Sequence, residues 1–204
     1  MVSLRLYLTS FIYSATMQKA TLRRLIRMRK HRLSQSERAK QSQAIMRLLE
    51  DHPVFQKAHV VLLYAALSDE VQTLDFIERW HTRKQLLLPV VVGDNLELRR
   101  YAGAATLAPG AYKILEPLTT QSFTAYSTID LAVIPGVGFT LDGRRLGRGK
   151  GYYDRLLSHP DFERVYKVGL AYPCQLLPSL PHEPHDVCLH EVISLDSAIS
   201  IVKK

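Results

Sequence analysis

Hydrophobic positions along the chain form short apolar runs, separated by stretches in which apolar residues recur at helical spacing. The runs have the length and the Val, Ile and Leu content of buried β-strands, and they cover residues 60–64, 86–92, 96–101, 129–134, 165–171 and 192–195. Helical spacing predicts helices around residues 22–28 and at 34–50, 71–81 and 153–157, with Ser34 or Ser36 as the cap of the second. Strands that alternate with helices predict an α/β fold, with a three-layer, open, mostly parallel sheet and helices on both faces. Residues 117–127, which contain five Thr or Ser, are predicted to be a surface loop.

The length of 204 residues suits one domain, because no linker rich in Gly, Ser or Pro divides the chain. We expect residues 17–204 to form a single domain and residues 1–16 to be an N-terminal extension, with Met17 as an alternative start. The apolar run near the N-terminus is interrupted by Thr9 and Ser10 and lacks the cleavage site of a secretory signal. No run reaches the roughly 20 apolar residues that span a bilayer, so we expect a cytoplasmic protein without a membrane partner.

A glycine-rich basic segment follows the predicted strand at 129–134. It spaces Gly147, Gly149 and Gly151 among four cations, which are Arg144, Arg145, Arg148 and Lys150. Alternating glycines let the backbone approach a ligand and turn its N–H groups outward, while the cations attract oxyanions. The segment is neither a Walker loop, since a glycine follows Lys150, nor a dinucleotide fingerprint, since Leu141 stands at a small-residue position. From these residues alone, a phosphate cradle and a plain surface loop are equally good interpretations.

Ligands of open parallel sheets bind outside the carboxyl ends of the strands. This rule groups residues 65–70, 135–153 and 172–174 into one predicted site.

The net charge of +8 is local, because nine cations and one carboxylate between residues 19 and 40 account for all of it. One interpretation is an arm that binds nucleic acid. The other is an amphipathic helix with a solvated basic face, since Leu22, Leu25, Ile26 and Met28 lie at near-helical spacing. Two cysteines, Cys174 and Cys188, are too few for a disulfide framework and fit either a reduced setting or a single pair.

Several short motifs then occur in a fixed order along the chain. They are Lys19-x-x-Leu22-Arg23-Arg24, Tyr64, Glu70-Val71-x-Thr73, Leu88-Pro89, Glu116-Pro117, Asp130-Leu131-x-Val133-x-Pro135-Gly136-Val137-x-Phe139, the decapeptide from Arg145 to Asp154, Gln175 and Pro184-His185-Asp186. In this order they resemble one family, 5-formyltetrahydrofolate cyclo-ligase, also called 5,10-methenyltetrahydrofolate synthetase. The resemblance covers the chain from Lys19 onward, and the decapeptide is its most specific part.

The resemblance implies a Mg²⁺-dependent enzyme that uses ATP as a co-substrate to convert 5-formyltetrahydrofolate to 5,10-methenyltetrahydrofolate, releasing ADP and phosphate. ATP would phosphorylate the formyl oxygen to an iminium phosphate, and the folate N10 would displace the phosphate. Catalysis would then consist mostly of positioning and charge neutralisation. We also expect a monomer. No nucleic-acid partner is expected, because the chain outside residues 19–40 has neither a platform of stacking aromatic residues nor zinc-finger spacing.

The same resemblance assigns site residues. The catalytic group comprises Arg145, Arg148, Lys150 and Tyr152. The ATP-binding group comprises Lys19, Ala20, Thr21, Leu22, Arg23, Arg145, Leu146, Gly147, Arg148, Gly149, Lys150, Gly151, Tyr152 and Tyr153. The folate-binding group comprises Ala65, Glu70, Arg148, Gly149, Lys150, Gly151 and Tyr152. Asp154 and Asp186 are the metal ligands.

Each assignment has a plainer alternative. Asp154 is also a helix-terminal carboxylate, Glu70 an acid at the start of the helix at 71–81, and Tyr152 a core tyrosine. The chain departs from the family at His190, where a carboxylate that can serve the metal is usual, and histidine is a poorer Mg²⁺ ligand. Together with His182, His185 and Cys188, His190 offers zinc as another interpretation, although the spacing matches no closed structural zinc site.

Two other functions compete with the cyclo-ligase hypothesis. One is a sugar-phosphate isomerase or acyl-transferase relative, since open α/β sheets host many chemistries; it predicts no nucleotide requirement. The other is a basic nucleic-acid-binding module, which predicts steeply salt-dependent binding to RNA or DNA.

Overall fold

The structure, a computed structural model, describes residues 18–196, and its centre is a seven-stranded sheet in the order β11-β10-β7-β1-β2-β3-β6. Strands β11, β10, β7, β1 and β2 run parallel, whereas β3 and β6 are antiparallel to their neighbours. The strands are β1 (Val60–Leu62), β2 (Gln85–Val92), β3 (Asn95–Arg100), β6 (Ser122–Phe123), β7 (Leu131–Ile134), β10 (Tyr166–Leu170) and β11 (Glu191–Ile193). The prediction of an open, mostly parallel sheet is confirmed.

Alternate strand residues face opposite sides of the sheet, and each side has its own buried cluster. In β1, Val61 belongs to the cluster that includes buried residues of α2 (Gln35–Glu50), α3 (Pro53–Lys57) and α4 (Leu74–Trp80). Its neighbour Leu62 belongs to the second cluster, with α5 (Tyr152–Leu157) and the 3₁₀ turn Pro160–Phe162. Helices therefore cover both faces, as the sequence pattern predicts.

The basic segment near the start of the chain forms helix α1 (Lys19–His31), which is integrated into the domain. Its apolar face is buried against the hairpin of β8 (Gly138–Phe139) and β9 (Arg145–Leu146) and the segment after β10. The cluster contains Leu22, Ile26, Val137, Leu146, Leu177 and Leu180. This confirms the interpretation as an amphipathic helix.

Helix α2 begins with a capping box. The Ser34 hydroxyl accepts a hydrogen bond from the Glu37 backbone at 3.2 Å, and the Glu37 carboxylate accepts one from the Ser34 backbone at 2.7 Å. Both bonds satisfy backbone donors that a helix start leaves unpaired. Of the two serines expected as caps, Ser34 is therefore the one that acts.

The prediction of a plain loop at residues 117–127 is wrong in part. Pro117 ends β5 (Leu115–Pro117), which pairs with β4 (Leu107–Pro109), and β6 in the middle of this stretch extends the main sheet. A further 3₁₀ turn, Tyr126–Thr128, follows. These short strands depend on partners distant in sequence, so local composition does not indicate them.

Other 3₁₀ turns lie at Ala104–Thr106, Ala111–Lys113 and Pro173–Gln175. Cys174 and Cys188 are both free cysteines, which decides against a single pair. Within residues 18–196, no helix is long and apolar enough to cross a membrane. The predicted extension at residues 1–16 and the alternative start at Met17 lie outside the described residues.

Candidate functional site

A cavity of about 390 Å³ opens at the carboxyl ends of β1 and β7. Loops 65–70 and 135–153 both contribute to it, as the rule for parallel sheets predicts, whereas 172–174 does not line it. Part of its lining is charged, and this charged lining consists of Glu70, Glu116, Arg145, Arg148, Lys150 and Asp154. Another part, the apolar lining, comes from β2, β3 and the segment before β5, and consists of Pro89, Val91, Leu96, Tyr112 and Ile114.

The glycine loop, defined here as residues 145–154, comprises β9, the turn at residues 147–151 and the start of α5, and it supplies most of the charged lining. Gly149 and Gly151 have φ values of +103° and +69°, a region that side-chain-bearing residues rarely adopt. A Cβ at Gly151 would also lie 2.8 Å from the Arg155 guanidinium. Glycine is thus required for the turn that places Arg148 and Lys150 at the cavity.

Arg145 and Asp154 form an ion pair inside this loop. The Arg145 side chain is only 3% exposed and donates from Nη2 to the Asp154 carboxylate. Its Nη1 donates to the Pro135 carbonyl at 3.4 Å, and its buried Nε has no hydrogen-bond partner among the described residues. Asp154 is therefore held in the cavity lining by a cation from the same loop.

Arg148 is fixed by two neighbouring carboxylates of the loop after β1. Its Nε and Nη2 donate to Glu70 Oε1 at 3.1 and 2.8 Å, and Nη2 also donates to Asp69 Oδ1 at 2.6 Å. Burial lowers the pKa of Arg148, but the two carboxylates outweigh it and raise the pKa above its ordinary value. The guanidinium stays charged at any physiological pH.

Glu70 is buried and held from three directions. Besides Arg148, the Leu67 backbone donates to its Oε2 at 3.0 Å, and the Tyr172 hydroxyl donates to its backbone carbonyl at 2.8 Å. Tyr172 belongs to residues 172–174, which were grouped into the predicted site. It does not line the cavity, but its hydroxyl holds the backbone of Glu70. A fixed carboxylate at a cavity can accept hydrogen bonds from a ligand's N–H groups without rearranging.

Asp69 and Lys30 complete the network, and sequence reasoning missed both. Lys30 of α1 is 2% exposed, and its ammonium donates to Asp69 Oδ2 at 2.5 Å and to the Asp69 carbonyl at 2.9 Å. Burial raises the pKa of Asp69, but Lys30 and Arg148 more than offset this and lower it below its ordinary value. One signal was present in the sequence, because Lys30 continues the buried stripe of Leu22 and Ile26 at four-residue intervals.

Tyr152 lies at the junction of the charged and apolar linings. Its hydroxyl is 3.4 Å from both the Tyr112 hydroxyl and the Gly93 carbonyl. Tyr152 is half-buried, since it packs against the second buried cluster on one side and lines the cavity on the other. Lys150 is exposed, and no carboxylate in residues 18–196 lies within ion-pair distance of it.

The cavity lining includes ten of the residues that the family resemblance assigned. They are Ala65, Glu70, Arg145, Gly147, Arg148, Lys150, Gly151, Tyr152, Tyr153 and Asp154. Eight others lie outside the lining, and these are Lys19, Ala20, Thr21, Leu22, Arg23, Leu146, Gly149 and Asp186. Among them, Leu22 and Leu146 have side chains in the buried cluster under α1.

Arg23 nevertheless contacts the glycine loop. Its Nε donates to the Gly147 carbonyl at 2.8 Å, and its guanidinium carbon would lie 3.5 Å from a Cβ at Gly149. The structure thus brings α1 and the loop together at this arginine.

Lys19 and Asp186 pair with each other. The Lys19 ammonium lies 2.8 and 3.1 Å from the Asp186 oxygens and 3.3 Å from Glu183. Burial lowers the pKa of Lys19, but its hydrogen bonds to Asp186 and Glu183 more than compensate and raise it. The structure therefore does not bring Asp186 and Asp154 together at the cavity.

The four residues of the zinc interpretation do not converge. In residues 18–196, the ligand atoms that come within 4.8 Å of one another belong to Glu183, His185 and Asp186, with the Lys19 ammonium among them. His190 instead accepts a hydrogen bond from the Lys167 backbone at 3.0 Å and stacks on Tyr166 at 4.8 Å. Neither His182 nor Cys188 belongs to the converging group.

Comparison with known proteins gives a consistent result. The sequence model of the 5-formyltetrahydrofolate cyclo-ligase family matches residues 15–194. The chain is 31% identical over 175 residues to 5-formyltetrahydrofolate cyclo-ligase of Escherichia coli K12, covering 83% of this chain and 96% of that protein. It is 29% identical over 201 residues to the protein of the same name from Mus musculus, covering 89% and 96%.

Solved structures agree in fold. The 5,10-methenyltetrahydrofolate synthetase of Aquifex aeolicus superposes with a TM-score of 0.76 at 35% identity, covering 87% of this chain and 90% of that one. That of Mycoplasma pneumoniae gives a TM-score of 0.67 at 27% identity, covering 87% and 98%. The chain therefore belongs to the 5-formyltetrahydrofolate cyclo-ligase family of enzymes.

Proposed function

We propose that this protein converts 5-formyltetrahydrofolate to 5,10-methenyltetrahydrofolate, with cleavage of ATP to ADP and phosphate. The observation that carries the proposal is the composition of one cavity. Its lining combines a fixed, buried carboxylate at Glu70, three cations on a glycine loop and an apolar surface. These are the groups that a pteridine ring with N–H donors, a triphosphate and an aromatic side arm require.

The reaction needs an activating step because a formamide oxygen is a poor leaving group. The formyl oxygen attacks the γ-phosphorus of ATP and ADP departs, which leaves an iminium phosphate. N10 of the folate then attacks the formyl carbon and loses its proton to solvent, and phosphate leaves with the former formyl oxygen. Negative charge accumulates on the transferring phosphoryl group, so nearby cations and backbone N–H groups stabilise it.

The loop residues have distinct tasks in this scheme. Lys150, exposed and without an ion-pair partner among the described residues, would bind the transferring phosphoryl group. Arg148 and the buried Arg145 add positive charge, and the backbone of Gly149 and Gly151 supplies N–H groups.

The folate would contact a separate part of the lining. Glu70 would accept hydrogen bonds from the pteridine, with Ala65 beside it. Tyr152, at the boundary with the apolar lining, would orient the ring by stacking.

The first turn of α1 would close over the nucleotide. Arg23 is best placed for this role, because it already contacts the glycine loop at Gly147. Lys19 would exchange its carboxylate partners for a phosphate, while Ala20, Thr21, Leu22 and Leu146 would contribute backbone contacts.

The residues present fit a magnesium ion. Asp154 offers a hard carboxylate oxygen in the cavity lining, and Mg²⁺ combines one or two carboxylates with phosphate oxygens and water. Asp186 would be a more distant contributor, since both its oxygens contact Lys19. When bound, the ion would neutralise charge on the triphosphate.

An absorbance assay tests the proposal. Purified protein, 5-formyltetrahydrofolate and Mg-ATP should give the methenyl chromophore, and omission of ATP should abolish it. Lys150→Ala should lower kcat/KM by about a hundredfold or more, whereas Lys40→Ala, an exposed lysine of α2 remote from the cavity, should leave it unchanged. Product without ATP would contradict the proposed use of ATP, and no product at all would refute the proposal.

We also propose a cytoplasmic monomer that does not bind nucleic acid. Support for the absence of nucleic-acid binding comes from α1, whose Lys19, Arg23 and Lys30 all bond within the chain and whose apolar face is buried in the domain. A salt-dependent RNA-binding assay tests this point, sedimentation tests the monomeric state, and cell fractionation tests the location.

A further inference from the structure

Helix α1 is connected to the glycine loop at two points. Arg23 donates directly to the Gly147 carbonyl, whereas Lys30 reaches the loop indirectly, through Asp69 to Arg148. Seven residues, or about two helical turns, separate Arg23 from Lys30, so both lie on one face of the helix. Ile26, fully buried, lies between them and fixes that face.

The second connection, from Lys30 through Asp69 to Arg148, begins at a buried lysine and is therefore not a chance surface contact. The Lys30 ammonium is buried, and its hydrogen bonds go to a carboxylate oxygen and the carbonyl of Asp69. Burying an ammonium is costly unless it is paired and hydrogen-bonded, so this contact sets where Asp69 lies. The remaining oxygen of Asp69 accepts from Arg148.

Arg148 is consequently held along one edge of its guanidinium. Every hydrogen bond that it makes within residues 18–196 uses Nε or Nη2, and these go to Glu70 and Asp69. Nη1, with two N–H groups, is left for another acceptor. Arg148 lines the cavity beside Glu70, the carboxylate proposed to bind the folate. The acceptor for Nη1 would therefore be an oxyanion of a bound ligand.

We infer that Asp69, anchored by Lys30, is a positioning residue that directs Arg148 toward the nucleotide phosphates. The inference rests on the proposed function, since it takes ATP as the ligand. Asp69 touches neither substrate; it acts by keeping the guanidinium plane fixed while Glu70 accepts hydrogen bonds from the pteridine. Lys30 extends this control to α1, so the helix that carries Arg23 also determines the orientation of Arg148.

The direction in which ATP affinity changes when Asp69 is removed distinguishes a positioning role from a purely electrostatic one. Asp69 carries a negative charge near the phosphate site, and removing it would by Coulomb's law alone strengthen ATP binding. If Asp69 positions Arg148, removing it weakens ATP binding instead, because Arg148 loses its orientation.

The experiment compares Asp69→Asn with the double variant Asp69→Asn, Lys30→Met, which leaves no unpaired buried ammonium and therefore protects the fold. Asp142→Asn is the matched control, since Asp142 pairs with Arg144 on the surface, outside the cavity. Steady-state KM values for ATP and for 5-formyltetrahydrofolate are measured separately, together with calorimetric binding of a non-hydrolysable ATP analogue.

We expect about a tenfold rise in the KM for ATP and a similar loss of analogue affinity in both Asp69 variants. The KM for 5-formyltetrahydrofolate should change less than about twofold, and Asp142→Asn should match the wild type. Wild-type turnover with unchanged or tighter analogue binding in both Asp69 variants would overturn this inference alone. Absence of product from the wild-type chain would overturn the proposed function, and the inference with it.

Discussion

Two aspartates, Asp154 and Asp186, each form an ion pair with a basic side chain, but the pairs differ in place and in construction. Asp154 pairs with Arg145 nine residues away on the same loop, and both line the cavity. Asp186 pairs with Lys19, 167 residues away, and neither lines it. The Arg145 side chain is 3% exposed and that of Lys19 is 20% exposed.

The two pairs are therefore expected to have different roles: Asp154 in catalysis and Asp186 in positioning α1. A pair formed within the glycine loop holds a carboxylate at the cavity without an ion-pair partner from a distant segment. A pair between α1 and the segment at 183–186 instead fixes where the N-terminal end of α1 lies. Substitution of Asp154 should therefore affect catalysis most, and substitution of Asp186 should act mainly through α1.

The largest effect is expected at Asp154. Asp154→Asn keeps an acceptor for Arg145 but removes the carboxylate charge, so kcat/KM for Mg-ATP should fall by about a hundredfold. The free energy of unfolding should fall by only about 1–2 kcal/mol. Asp161→Asn, an exposed aspartate outside the cavity, serves as the control. Near-normal turnover of Asp154→Asn at limiting Mg²⁺ would remove Asp154 from the metal site.

The next largest effect is expected at Arg23 of α1, whereas Arg27, Arg29 and Arg32 should have little effect. Arg23→Ala removes a contact to the glycine loop and, by the proposal, to ATP, so the KM for ATP should rise about ten- to a hundredfold. The triple variant Arg27, Arg29, Arg32→Ala should leave that KM nearly unchanged. Equal damage from both variants would contradict the assignment of Arg23. Salt-sensitive RNA binding that is lost mainly in the triple variant would support the nucleic-acid alternative.

A smaller effect is expected for the Lys19–Asp186 pair. Burial raises the pKa of Asp186, but Lys19 outweighs it and brings the pKa below its ordinary 3.8. The stabilisation by this carboxylate is therefore present above pH 3.8 and lost as the pH falls through the lower, folded-state pKa. Asp186→Asn should cost about 1 kcal/mol of unfolding free energy at pH 7.

The same measurement at about pH 2.5 checks the sign. Urea denaturation should show the difference between wild type and Asp186→Asn shrinking on acidification. A difference that stays constant with pH would mean that the pair does not stabilise the fold.

The smallest effect is expected at His190. Burial, followed by the nearby charge of Lys167, lowers the pKa of His190, and its Nδ1 accepts a backbone hydrogen bond, so the ring is neutral. The neutral His190 ring stabilises the fold above the ordinary pKa of 6.5, and this stabilisation is lost as the pH falls through the lower, folded-state pKa. Stability should thus decrease less between pH 7.5 and about 5.5 in His190→Asn than in the wild type.

Restoring the usual family carboxylate at this position tests its relation to the metal. His190→Asp should leave activity unchanged or lower the Mg²⁺ requirement. A clearly higher requirement would show that the histidine has a role of its own in the site.

Local patterns predicted most of the fold. The main parallel strands and helices α1, α2, α4 and α5 follow from apolar runs and helical spacing, whereas the short helix α3 was not predicted. The sequence pattern left Ser34 and Ser36 both open as caps, and the capping box of Ser34 with Glu37, three residues later, decides between them. The glycine loop was also predictable, because the positive φ values at Gly149 and Gly151 require glycine. Strands β4 to β6 and the hairpin of β8 and β9 were not, since two or three residues carry no period of their own.

The site was predictable in part for a similar reason. Most of the motif residues that line the cavity lie together between Arg145 and Asp154, whereas the partners that hold Arg148 come from elsewhere in the chain. Asp69 and Lys30 lie 79 and 118 positions from Arg148 along the chain, and no local pattern connects them. The one signal in the sequence was Lys30 itself, a charged residue in the otherwise apolar buried stripe of α1.

The central claim is that ATP activates the formyl oxygen in this cavity, and an isotope experiment tests it most directly. The protein is given Mg-ATP and 5-formyltetrahydrofolate labelled with oxygen-18 in the formyl group, and the released phosphate is analysed by mass spectrometry. The account predicts one labelled oxygen in each phosphate, one ADP and one methenyl product per turnover. Label in water instead of phosphate, or methenyl product formed without ADP, would contradict it.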